Sequence, residues 1–161
     1  MNKQTSQPQP FNLYDFQLRA MPVLLAWGTA SLFAGLAWLF NPKPWRAGFG
    51  LQFAAWGFIN SLIALLGQGM ARRNKKRLKA GEINQAEHKR QAAQFERLLR
   101  LNAVLDICYM LAGGWLITRR PQETRRQGMG WGVVVQGGAL LIWDLLLERL
   151  LHNRRQSLKL E

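Results

Sequence analysis

The sequence predicts an all-α membrane protein, a four-transmembrane-helix bundle with a cytoplasmic helical hairpin between spans two and three. Three observations carry that expectation. Four blocks, Met21 to Phe40, Phe49 to Gly67, Leu101 to Ile117 and Trp131 to Leu147, are almost wholly apolar. Each is close to the roughly 17–25 residues that a membrane-crossing helix requires. The first block, "MPVLLAWGTASLFAGLAWLF", has only Thr29 and Ser31 as polar residues, so it is apolar all round rather than along one stripe. Between the blocks lie strongly basic segments, which is why the mean hydropathy is only -0.13.

In chain order, residues 1–20 divide into a polar "MNKQTSQPQP", of disordered composition, and "FNLYDFQLRA", read as a short interfacial helix. Residues 21–150 form the four-helix domain, and residues 151–161 a basic tail. A cleaved signal peptide is not expected, because a polar stretch precedes the first block and no small-x-small site follows it. "NPKPWRAG", with two prolines, is a tight turn between spans one and two. The connector 68–100, "QGMARRNKKRLKAGEINQAEHKRQAAQFERLLR", has no proline, and Gly81 divides two helix-favouring stretches, hence the hairpin. Trp38, Trp45, Trp115 and Trp131 fall near one end of the spans and suit an aromatic belt.

The 22 Lys and Arg residues give the orientation. With the amino terminus inside, sixteen fall in residues 1–20, the connector and the segment from Glu148 onward, and six in the two outer loops. The positive-inside bias therefore places both termini and the connector in the cytoplasm, in an inner membrane. The same cations are candidates for anionic lipid headgroups. Nucleic acid is not expected despite a net charge of +13, since no aromatic interleaving or recognition motif accompanies the charge.

The carboxylate Asp106, inside "LNAVLDICYMLAGGWLI", is too short to reach water from its depth, so it must turn inward to a partner or a proton. Asn102, Asp106, Tyr109 and Gly113 share a helical stripe. Span four offers Gly130, Gly137 and Asp144 at seven-residue steps, with Gln136 alongside, and Asp144 falls toward the same side as Asp106. Span two contributes Asn60 beside a small-residue face of Gly50, Ala54, Gly57, Ser61 and Ala64, and span one has Gly28, Ser31 and Gly35. The candidate buried polar or ligand-binding set is therefore Asn60, Asn102, Asp106, Tyr109, Gln136 and Asp144. It is either a structural hydrogen-bond network or a ligand- or proton-handling site.

No catalytic residues, cofactor or metal site are expected. His88 and His152 read as solvated surface histidines, and Cys108, the single cysteine, as a small packing residue. "GMGWG" lacks the spacing and the preceding strand of a phosphate loop.

The stretches "WGFIN" (56–60), "LNAVLDICYMLAGG" (101–114) and "GMGWGVVVQGGALLIWD" (128–144) resemble an uncharacterised family of small four-span bacterial membrane proteins. The residues that carry the resemblance are Trp56, Asn60, Asn102, Asp106, Tyr109, Gln136, Gly137 and Asp144. It implies a fold and no catalytic residues. The reading that follows is a non-enzymatic accessory, assembly or structural subunit, packing against itself or a larger membrane complex. The alternative is a small transporter or a ligand- or proton-handling protein using Asp106 and Asp144.

Overall fold

A computed structural model describes residues 11–119 and 122–157. The expected polar leader at residues 1–10 and the last four residues of the tail lie outside the described residues. The architecture is four long helices: α1 (Leu13–Leu39), α2 (Pro44–Lys79), α3 (Gln85–Arg119) and α4 (Thr124–Ser157). Each is long and apolar enough to cross a membrane.

The helix ends follow from local chemistry. Asn12 caps α1, its side-chain oxygen accepting the amide N–H of Tyr14 at 2.9 Å and of Asp15 at 3.4 Å. Pro44 opens α2 at a position where its missing N–H leaves no helical bond unmade. Lys79 ends it just before Gly81, whose φ of 77° is a left-handed conformation suited to glycine. Asn84 then caps α3 through the Glu87 amide at 2.8 Å.

The neighbour order across the bundle is α1, α2, α4, α3. In the middle of the bundle the contact faces are made of small residues. Gly28 and Gly35 of α1 lie against Gly57, Ser61, Gly50 and Ala54 of α2. Gly48 and Gly132 join α2 to α4, and Gly113 and Gly130 join α3 to α4. These glycines bring backbone against backbone, which contributes dispersion and weak polar contacts, the packing common between membrane helices. Large apolar residues face outward, among them Phe33, Phe58, Leu66, Leu111 and Ile142. Small and polar groups inside with large apolar groups outside is the reverse of a water-soluble bundle.

At the basic end the packing changes character. Leu13, Tyr14, Ile83, Leu99, Leu147 and Leu151 form a core of large buried side chains drawn from α1, α3, α4 and the 80–84 turn, with Leu78 of α2 packed against it. Two sequence expectations are corrected here. The segment 11–20 is not a separate interfacial helix: it is continuous with α1, and Leu13 and Tyr14 are among the most buried residues of the chain. Its apolar residues find partners on α3 and α4 instead of a lipid surface. Cys108 is exposed rather than packed inside, because it lies two residues past Asp106, on the outward side of α3.

Candidate functional site

The polar residues of the apolar blocks converge on the helix seams. Asn60 of α2, Asp106 of α3, and Gln136 and Asp144 of α4 are buried, and Gln136 is 0% exposed. Asn102 is half-buried. The indole N–H of Trp27 on α1 donates to Gln136 Oε1 at 3.0 Å. One residue further, Gly137 faces the Asp106 backbone carbonyl, and Gly28, next to Trp27, faces Ser61, next to Asn60. All four helices thus contribute to one polar layer deep in the apolar part of the bundle.

Adjacent to this layer, Asn102 hydrogen-bonds the Asp144 carboxylate, and the two aspartates lie within electrostatic reach of each other. Among the described residues neither aspartate forms an ion pair with a Lys, Arg or His. Of the five buried side-chain atoms without a hydrogen-bond partner among the described residues, Ser61 Oγ and Gln68 Nε2 aside, three belong to the expected polar set: Asn60 Nδ2, Asp106 Oδ2 and Gln136 Nε2. They offer amide donors and a carboxylate acceptor within one layer, the chemistry that takes up a proton or a small hydrogen-bonding solute.

Tyr109 departs from the expected buried set. It is 39% exposed, and its ring meets Trp56 of α2 edge-on with centroids 5.1 Å apart. Three residues past Asp106 turns a side chain about 60° back around the helix, which carries Tyr109 off the α4 seam to the α2 flank.

A second cluster, not anticipated from the sequence, sits at the basic end. Glu96 of α3 is buried and is met by Arg155 and His152 of α4 and by Arg100 of its own helix. Arg100 also reaches Glu148 at 2.8 Å. Burial pushes the Glu96 carboxyl up, but the His152 hydrogen bond and the Arg155 and Arg100 guanidinium groups outweigh it and hold it below the usual carboxylate range. One ligand atom each from Glu96, Glu148 and His152 fall within 4.8 Å of one another, a spacing open to a metal ion. In this arrangement two guanidinium groups already neutralise the two carboxylates. The signals were Glu96 with Arg100 and Glu148 with His152, each four residues apart on one helix face, but their meeting across the bundle has no local signature.

His88 also departs from expectation. It is 6% exposed rather than solvated. Its Nε2 accepts the Leu13 backbone N–H at 3.2 Å, and its ring stands edge-on to Tyr14 at 5.4 Å. Burial pulls its imidazole below the ordinary histidine value.

Residues 23–145 match the pattern of a family of unknown function. The chain belongs to that family, DUF6992. The resemblance to an uncharacterised family read from spans two to four is thereby borne out. No curated protein and no solved structure matches the chain. The stretch matched to DUF6992 contains the whole polar layer and ends short of Leu13, Tyr14 and Leu151 of the basic-end core.

Proposed function

We propose that this DUF6992 chain is a multi-pass inner-membrane protein of bacterial type, a four-transmembrane-helix bundle that serves as a non-enzymatic accessory, assembly or structural subunit. The observation that carries this reading is the inverted packing: glycine and polar side chains within, phenylalanine, leucine and isoleucine without. The basic connector and both termini lie in the cytoplasm, where the cations engage anionic headgroups. The partners are the bilayer itself and either a second copy or a larger membrane complex.

Two measurements test it. Reporter fusions active only in the cytoplasm, placed after residue 161 and within 80–84, are expected to give signal, and a fusion at 41–43 none. Mild-detergent purification is expected to bring down a homo-oligomer or a stoichiometric partner, and a lone monomer removes the subunit role.

A second reading rests on the unpartnered Asp106 Oδ2: the polar layer handles a proton or a small solute. Flux across reconstituted vesicles that drops in both Asp106→Asn and Asp144→Asn supports it. Flux indifferent to both removes it.

A further inference from the structure

We propose that His88 is a pH-sensitive latch that fastens the start of α1 to the basic hairpin and releases it on protonation. The geometry is specific. The first amide of a helix has no acceptor in its own helix, and here the orphan N–H of Leu13 is satisfied by the imidazole of another helix, 75 residues away in sequence. An accepting Nε2 is unprotonated, so the ring's proton is on Nδ1.

Adding a second proton turns Nε2 into a donor aimed at a donor. It also charges a ring that is 6% exposed and lies at the positive end of the α1 dipole. Every part of that change opposes the closed state.

The surrounding groups give no compensation. From α1 the ring meets Tyr14, whose hydroxyl donates to Gln91 at 2.7 Å, and the next residue, Asp15, is engaged by Lys75 of α2. From α2, Arg77 bears on the Tyr14 hydroxyl. On α3, Glu87 accepts from Gln91 at 3.0 Å and pairs with Arg90. α4 meets the corner with the apolar Leu147 and Leu151. Among the described residues no carboxylate bonds the His88 ring.

The sign follows from linkage. A histidine held below its ordinary value of about 6.5 stabilises the folded form fully above that pH, and the contribution is lost as pH falls below it toward the folded value. The latch is therefore closed at neutral pH and loosens in acid. Opening exposes Tyr14 and Leu13, two of the most buried residues in the core at the basic end.

The test is hydrogen exchange on the full chain in detergent micelles or nanodiscs at about pH 7.5 and about pH 5.5, corrected for intrinsic rates. In the wild type, peptides spanning 11–20 lose protection several-fold at the lower pH while those of the α4 apolar block do not. His88→Gln, whose amide oxygen accepts the same N–H without titrating, keeps protection at both values. Equal wild-type protection at both pH values, or a pH response surviving in His88→Gln, overturns the proposal. Because the chain has only two histidines, His152→Gln leaves His88 alone for NMR titration of its imidazole. A midpoint at or above the free-histidine value overturns the proposal even if His88→Gln fails to fold.

Discussion

A Cβ added at Gly113 would sit 2.8 Å from the Gly130 carbonyl oxygen, whereas one added at the adjacent Gly114 meets nothing within 4 Å. Neighbouring glycines thus differ in kind, one a backbone contact and the other an outward surface position. Gly113→Ala is expected to destabilise by about 1–3 kcal/mol, the usual range for forcing atoms into a filled seam. Gly114→Ala should stay within about 0.5 kcal/mol of wild type. Thermal unfolding in one detergent compares them, and equal losses would contradict the contact geometry. The bond from Trp27 to Gln136 gives a second contrast. Gln136→Leu leaves the part-buried indole N–H of Trp27 without its acceptor, a loss of about 0.5–1.5 kcal/mol. Trp27→Phe combined with Gln136→Leu removes both partners and should fall closer to wild type than the Gln136→Leu single variant. A double variant that simply sums the two single losses would show the bond to be dispensable.

Helices α3 and α4 are joined in two different ways along their length. In their apolar stretch Gly113, Gly130 and Gly137 set the spacing, and at the basic end Glu96 collects Arg100, His152 and Arg155. Because the Glu96 carboxyl is held below its usual range, its pairing adds stability above the ordinary carboxylate value and loses it as pH falls through the lowered one. Glu96→Gln should lower the unfolding temperature by roughly 2–4 °C at neutral pH. The gap between variant and wild type should close on acidification past the carboxylate range, and a gap independent of pH would refute the charge-based account. Added salt should narrow the gap only in part, since Glu96 is buried while Arg100 is exposed.

Across the whole molecule, what was legible in the sequence is what depends on local pattern. All-round apolar blocks announce helices fit for a bilayer, and a carboxylate in such a block is expected to turn inward; Asp106 and Asp144 are both buried. Asn60 and Gln136 were legible for the same reason. The basic-end core was not, because Leu13 and His88 are brought together only by the complete fold and carry no spacing signal. Tyr109 shows the limit of stripe reasoning: a phenol tolerates an exposed flank that a carboxylate does not, so sharing a helical row with Asp106 did not fix its burial. At this scale the expectation is that the protein needs detergent or lipid to remain dispersed, since most of its large apolar residues lie outside. Sedimentation of detergent-free protein as a dispersed species would end the membrane reading.

The neighbour order has a consequence for how the chain is divided. α1 locks onto α2, and α3 onto α4, each pair through its own glycines, while the α2–α4 seam and the basic-end core are the main joints between the two hairpins. Two side-chain contacts also cross between the hairpins, Trp27 with Gln136 and Trp56 with Tyr109, and the covalent link is a five-residue turn centred near Gly81, most of it exposed. A gene cut at that turn should yield two polypeptides that enter the bilayer separately and find each other there, restoring the intact assembly without a peptide bond between them.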